Sequence, residues 1–585
     1  MKITTSKTTA SILFFISLLT FFISCNKPEI DNQTKVIKDV NVISMCNDSI
    51  LYGHSVLVID GKIADIGVFD EMKIPKGAQI INGKEQYLIP GLCDMHVHFN
   101  DDDDRILYIA NGVTLIRNMS GDPYHLKVRE KINKKNLIGP EIYTTGPYID
   151  GLNPVWPGSV IINDTDKVFE ALSQMKNDGY DAVKVYETLT KEVYDEIIRV
   201  AKELEMPVVG HVPQSLDLRE VLFSGQSSIE HLKGYNKYFS DEQIIEETVE
   251  SGIWNCPTLL CDKYCENLND LKKNPPGEIK YVTPNLVYGW ENWNQVNLGF
   301  VKNMKLLHTL TNNNANIVLG TDAGAPYVVA GFSLHEELSL RQDAGLTPYQ
   351  ILLSATRNCA EMLGYESRLG TIEKNKDADL VLLKNNPLEN IKNAKSIVGV
   401  MAKGSWYAKE DLNSMLEIVA VKKNALMQKS TIRNNVFMKL IVLILTLTFL
   451  SAFLTRPILY VFNRNKLKSL TSDNVHITKY RIRFLVVSIS IISLIYLFLV
   501  ATLPEAAIKS GLPSTLMGWP NYVKYLTLLP FVNLIILISL FILYIIALLK
   551  NSLSLYRKWH TLSIIIVSII SLVLCNYWGF IKLYI

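Results

Sequence analysis

Eight cysteines occur in the 585 residues, and no two of them stand as Cys-x-x-Cys. That spacing argues against a structural zinc knuckle. Cys256, Cys261 and Cys265 either include one disulfide, if the compartment is oxidising, or are buried free thiols. An excess of charge is also missing: 59 Lys and Arg stand against 57 Asp and Glu, a net of +2. The basic residues are scattered through the first 430 positions, so no concentrated basic face exists and a nucleic-acid partner is excluded. A third absence is local. From about Phe437 onward the chain carries long apolar runs with no Asp, Glu or His well inside them, so a proton or ion pathway has no carriers.

Those runs fall near 440–454, 484–503, 526–549 and 562–581. A helix needs roughly 20 apolar residues to span hydrocarbon, so about four transmembrane helices are expected across 437–585, an all-α membrane bundle in contact with a lipid bilayer. Arg464, Lys466, Lys468, Lys479, Arg481 and Arg483 follow the first run, and Lys550, Arg557 and Lys558 follow the third. The positive-inside rule places these connections in the cytoplasm and the large N-terminal part outside. The first residues agree: two lysines, an apolar run from Ile12 to Ile23, then Ser24 and Cys25 make an export signal over 1–25. Its end resembles a bacterial lipobox, which would acylate Cys25; the alternative is an uncleaved anchor helix. The expected location is a bacterial inner membrane, multi-pass, with the soluble part on the periplasmic side.

Between Tyr87 and Gly364, eight β-rich runs alternate with helical patterns: "LCDMHVH", "VTLIRNM", "EIYTTG", "AVKVYE", "PVVGHVP", "SIEHL", "WNCPTLL" and "NIVLGTD". Eight βα units predict an α/β fold, a (β/α)8 TIM-like barrel over 87–370 with functional groups at the C-terminal strand ends. The flanks 36–86 and 371–407 alternate apolar and polar residues between Gly and Asn turns, which predicts one small β-sandwich built from both. Residues 408–436 are expected to be a linker.

Strand periodicity puts His96 and His98 on one face. The ends of other strands carry Lys184, His211, His231 and Asp322. A lysine between Val183 and Val185 needs either an ion pair or neutralisation, because an ammonium in an apolar wall is costly. Carbamylation would neutralise it and create two metal-binding oxygens.

The motifs "HVH", "KVY", "GHVP", "SIEHL", "GTDAG" and "GTIEKNKDADLVLL" resemble the metal-dependent amidohydrolase superfamily, in its imidazolonepropionase-like and Xaa-Pro dipeptidase-like branch, from Val36 to Tyr407. The resemblance implies two divalent metal ions, for which zinc suits the donor set. His96, His98 and Asp322 would hold one, His211 and His231 the other, with carbamylated Lys184 between them. It further implies hydrolysis of a carbon–nitrogen bond in a small substrate such as a dipeptide, N-acyl amino acid or cyclic amide. Attack would come from a metal-bridging hydroxide, with Asp322 moving the proton. Tyr186, Arg117 and Tyr235 either contact substrate or pack the core, and the same alternatives apply to His335 and Glu337. Asp101 to Asp104 read as a calcium loop or a solvated turn. The connection from Cys261 to Asn316, rich in Tyr and Trp, reads as a lid or as packing. The rival function is a ligand-binding or sensing module coupled to the membrane helices without catalysis.

Overall fold

A computed structural model describes residues 34–156, 158–238, 241–434, 443–450, 481–495, 529–550, 553 and 555–577. The export signal and Cys25 lie outside these residues.

The N-terminal flank forms β1 (Lys35–Ile43), β2 (Ile50–Ile59), β3 (Lys62–Gly67), β4 (Gln79–Asn82) and β5 (Tyr87–Pro90). The barrel follows with β6 (Leu92–Val97), β7 (Val113–Asn118), β8 (Glu141–Asp150), β9 (Val160–Ile161), β10 (Ala182–Val185), β11 (Val208–Gly210), β12 (Ser228–Glu230) and β13 (Trp254–Cys256). The C-terminal flank adds β14 (Leu380–Leu383), β15 (Ile397–Ala402) and β16 (Ser405–Ala408).

Both flanks do combine, but into one continuous mixed sheet, ordered β16-β15-β14-β5-β1-β2-β3, in place of the two separate sheets of a sandwich. The reason is that β1 offers a single edge to β4 at its start and to β5 further along, while β5 pairs on its other side with β14. Ile37, Val40, Val56, Leu88, Leu380 and Met401 fill the core of this domain.

The barrel strands run parallel in the order β6-β7-β8-β10-β11-β12-β13. Every residue of β6 and β7 is buried, as expected for strands covered on both faces. The eighth run, 316–323, closes the ring through backbone hydrogen bonds on both sides. Val318 N–H donates to Asn255 O at 3.0 Å, Met95 N–H to Leu319 O at 2.8 Å, and His98 N–H to Ala323 O at 2.7 Å.

The expected linker is a 26-residue helix, Lys409–Asn434. Leu412, Leu416, Val419 and Lys423 recur every three to four positions and form its buried stripe against the barrel. Lys423 Nζ donates to Asp101 Oδ1 at 2.6 Å and to Asp103 Oδ2 at 2.7 Å, and Lys422 lies 2.8 Å from Asp103 Oδ2. The acidic run after His98 is therefore an ion-paired clamp, not a solvated turn. Burial pushes the Asp103 carboxyl up, but hydrogen bonds from Lys422 and Lys423 outweigh it and hold the group below its usual range. A depressed carboxyl stabilises the fold above its unfolded pKa of about 3.9 and loses that contribution as pH falls through the folded value. Lys423→Gln is expected to lower the melting temperature at pH 7 and to have a shrinking effect below about pH 4, read by thermal unfolding across pH. An effect independent of pH would count against the clamp.

In the C-terminal third, helices Leu529–Leu549 and Leu555–Tyr577 pack with 443–450 and 481–495 around Phe449, Ile489, Leu540 and Ile564. Asn533 Nδ2 donates to Ser493 Oγ at 2.9 Å inside this cluster. Among the described residues one stretch, Val532–Leu549, is long and apolar enough to cross a bilayer by length and composition. The other three expected spans fall partly outside the described residues.

Candidate metal centre

Six side chains converge at the C-terminal ends of the barrel strands. His96 lies on β6 and His98 just beyond it, Lys184 on β10, His211 and His231 directly after β11 and β12, and Asp322 at the end of the eighth run. Lys184 Nζ is 3.3 Å from His96 Nε2, and Asp322 Oδ1 is 3.0 Å from His98 Nε2 and 3.5 Å from His96 Nε2. The His231 ring centroid lies 4.4 Å from that of His96 and 5.1 Å from that of His211. His231 and Asp322 have φ of 58° and 62°, a left-handed backbone that non-glycine residues adopt only when held there. Their amides are the restraint: His231 N–H donates to Cys256 O and Asp322 N–H to His96 O.

All four imidazoles are engaged on the same side. Nδ1 of His96 is 2.8 Å from Glu230 Oε2, that of His211 3.0 Å from Glu187 Oε1, that of His231 2.6 Å from Thr258 Oγ1, and that of His98 3.3 Å from the Tyr148 hydroxyl. Such partners fix ring orientation and leave Nε2 for a ligand. Two buried atoms facing the centre, His211 Nε2 and Asp322 Oδ1, have no hydrogen-bond partner. Burial lowers the imidazole pKa of His96 to about 3 and of His211 to about 4, so both rings are neutral at pH 7. Burial raises the Asp322 carboxyl, but the imidazoles of His98, His96 and His231 around it outweigh that, leaving an anion. Neutral imidazole and ionised carboxylate are the forms that bind a cation. His96, His231 and Asp322 offer ligand atoms within 4.8 Å of one another. Orphaned atoms, protonation and donor type all fit divalent metal. A second cluster, His96, Glu230 and Cys256, is as tight. There Arg117 already neutralises Glu230, and burial pushes the Cys256 thiol up and keeps it protonated.

Lys184 is buried and, among the described residues, has no carboxylate within ion-pair distance. Burial lowers its pKa to about 8. Tyr148 and Tyr186 wall this corner: Lys184 Nζ is 5.2 Å from the Tyr148 ring, and the Tyr186 ring is 4.2 Å from that of His211. Trp156 Nε1 donates to the Tyr186 hydroxyl at 2.7 Å, and Trp156 stacks on Trp293 at 5.8 Å. Trp290 Nε1 donates to Gly324 O, so the connection after Cys261 does lie over the mouth, built from short helices such as Pro284–Glu291. Cys261 and Cys265 are free thiols with sulfurs 4.0 Å apart.

Three substrate-contact expectations need correction. Arg117 is fully buried beneath the histidines, where Nη2 donates to both Glu230 oxygens at 2.9 Å and Nε to Met95 O. Tyr235 turns away because the chain reverses at His231 and Leu232, and its hydroxyl bonds Thr248 and Asn255 inside the core. His335 lies on the buried helix Phe332–Asp343 with Nε2 against Asn111 O, outside the centre. Glu337 on that helix pairs with Arg341. Sequence reasoning missed Glu230, Glu187 and Tyr148. The signal for Glu230 was available: one acid in "SIEHL" and one base in "VTLIRNM" are opposite charges in apolar strands, which must pair when buried.

A model of the Amidohydrolase family matches residues 108–407, 300 of the 585 positions. The chain belongs to this family. Ochratoxinase from Aspergillus niger is 24% identical, with 58% of this chain aligned to 79% of that enzyme. A 5-methylthioadenosine/S-adenosylhomocysteine deaminase from Caldanaerobacter subterraneus is 25% identical over 60% of this chain and 84% of its own. Among solved structures, bottromycin amidohydrolase superposes with a TM-score of 0.56 at 23% identity, covering 67% of this chain and 90% of that one. A Xaa-Pro dipeptidase gives 0.53 at 21% identity, covering 64% and all of its own chain. These superpositions show the shared amidohydrolase fold.

Proposed function

We propose that this amidohydrolase is a metal-dependent hydrolase that cleaves a carbon–nitrogen bond, with a dipeptide, N-acyl amino acid or cyclic amide as substrate. The observation that carries this reading is the convergence of four imidazoles, an ionised Asp322 and a buried Lys184 that, among the described residues, has no carboxylate partner, all at one end of the barrel. His96, His98 and Asp322 would hold one cation and His211 and His231 a second, with carbamylated Lys184 between them. Divalent metal there would polarise a carbonyl and lower the pKa of water to about 7. Asp322, anionic and with a free oxygen, accepts the proton of the attacking water and returns it to the leaving nitrogen. Tyr148 and Tyr186 wall the substrate beside Lys184. A lysine with pKa about 8 is neutral about one-tenth of the time at pH 7, far more than an ordinary lysine, and the neutral amine is the form that adds carbon dioxide. The apolar C-terminal runs and the basic connections support a multi-span anchor in a bacterial inner membrane with the barrel outside, and the first 25 residues support export.

The full chain, solubilised in mild detergent with zinc and bicarbonate, is expected to hold two metals per chain and to hydrolyse members of a dipeptide and N-acyl amino acid library. Lys184→Ala should bind less metal and lose activity by about 10³-fold, a loss typical of a missing catalytic group. A short carboxylate such as propionate, supplying two oxygens in the vacated volume, should restore part of both. One metal per chain with no rescue would make the centre mononuclear and Lys184 a plain ammonium. Metal-free protein that binds ligands without turnover would favour the sensing module.

A further inference from the structure

The helix Lys409–Asn434 indicates which way the barrel faces. It starts directly after β16 and lies against β15, at the base end where β15 approaches Gly112. Its buried stripe ends at Lys423, on Asp101 and Asp103, in the loop that follows His98 at the mouth. Past Lys423, Leu426 and Met427, at the positions that would continue the stripe, are exposed. The 11 residues from Lys423 to Asn434 add roughly 16 Å at 1.5 Å per residue. The chain thus departs on the mouth side and runs directly into its apolar C-terminal third.

The mouth on that side is apolar. Two segments form its rim, 151–161 after β8 and 284–301 over the eighth strand, joined by the Trp156–Trp293 stack. In these 29 residues the only charge is Glu291, in a chain that is 20% charged. Leu152, Val155, Tyr288, Val296, Leu298 and Val301 are each between 40 and 66% exposed. Monomeric soluble surfaces rarely gather so many large apolar groups around one opening. Uncharged loops carrying Trp, Tyr and Leu are the composition that enters a membrane interface. The same rim leads inward through Trp156 and the Tyr186 hydroxyl to His211.

We propose that segments 151–161 and 284–301 dock on the surface of the lipid bilayer that holds the C-terminal helices, so that the centre opens toward lipid and receives amphiphilic amides with an apolar tail. This rests on the membrane-anchor reading above, and the ion pairs of Lys422 and Lys423 fix the tilt that brings the rim to the surface.

The test uses the full chain with Cys25→Ser, Cys46→Ser and Cys575→Ser, which leaves only the buried thiols of the barrel, reconstituted in phosphatidylcholine and phosphatidylglycerol vesicles, with one added cysteine carrying bimane at Leu152, Leu298, Lys202 or Ile535. Lys202 is exposed near the C-terminal end of the helix Lys191–Glu203, toward the barrel base, and Ile535 is exposed on Leu529–Leu549. Brominated lipid is expected to quench Leu152→Cys and Leu298→Cys about twofold, as for groups lying roughly 5–10 Å into the interface, to quench Ile535→Cys strongly, and to leave Lys202→Cys unchanged. Quenching at Ile535 without quenching at Leu152 and Leu298 overturns the docking and leaves the anchor. No quenching at Ile535 overturns the anchor and the docking with it. Self-quenching at Leu298 that grows with protein-to-lipid ratio, without lipid quenching, assigns the rim to a second copy and also overturns the proposal.

Discussion

Asp322→Asn is expected to lower kcat/KM about a thousandfold, within the range for loss of a general base, while thermal unfolding of the barrel stays nearly unchanged. The two halves of that expectation have separate causes. Asn is isosteric with Asp and is among the residues that tolerate a left-handed backbone, so φ of 62° at this position does not penalise it. The restraint on the backbone, Asp322 N–H to His96 O, is also untouched. What changes is the side chain. The carboxylate oxygen that now faces His96 and His98 without a hydrogen-bond partner becomes an amide group that neither accepts a proton at pH 7 nor offsets a cation. Measuring kcat/KM beside metal content separates two roles. Full metal with a thousandfold loss assigns proton transfer to Asp322, and loss of metal assigns ligation. Activity within tenfold of the parent would remove Asp322 from the reaction.

Much of this centre was legible in the sequence because its residues are polar where strands require apolar ones. His96, His98, Lys184, His211, His231 and Asp322 all end β-runs, and strand ends converge in a parallel barrel whatever the loops do. What periodicity does not reveal is depth. Arg117 ends its strand as the histidines do, yet it points into the layer below them, since a two-residue repeat gives the face and not the level. Tyr235, four residues after His231, would share its face only on a continuing strand, and positive φ at His231 and Leu232 ends that strand. The helix Lys409–Asn434 was hidden by its lysines. Lys423 occupies a core position in its stripe because Asp101 and Asp103, more than 300 positions earlier in the chain, provide its counter-charge. Partners so distant in sequence leave no local mark.

The largest stability effect is expected from Glu230→Gln. Arg117 and Glu230 are both fully buried and joined by two hydrogen bonds, and Glu230 also accepts from Ser228. Burial alone would raise the Glu230 carboxyl, but the Arg117 charge and the His96 hydrogen bond outweigh it and hold it ionised. A depressed carboxyl stabilises the fold at neutral pH and loses that contribution only in strong acid. Gln keeps one acceptor oxygen but turns the other into an NH2 donor, so the buried guanidinium loses its counter-charge and one of its two carboxylate acceptors, while Met95 O and Ser228 Oγ stay in place. Breaking a buried pair from one side costs about 3–5 kcal/mol, which at roughly 2–4 °C per kcal/mol lowers the melting temperature by about 10 °C. A second consequence is chemical. His96 Nδ1 loses the charged acceptor that orients its ring and must compete with Arg117 and Ser228 for the one amide oxygen left, and losses of this kind weaken metal binding roughly 10–100-fold. The double variant Arg117→Met with Glu230→Gln separates the two. With no charge left buried, stability should recover most of the loss, while metal affinity stays low because His96 still lacks its carboxylate. Recovery of both would make Glu230 a counter-ion for Arg117 alone, and unchanged stability in Glu230→Gln would mean that the pair does not hold the barrel floor.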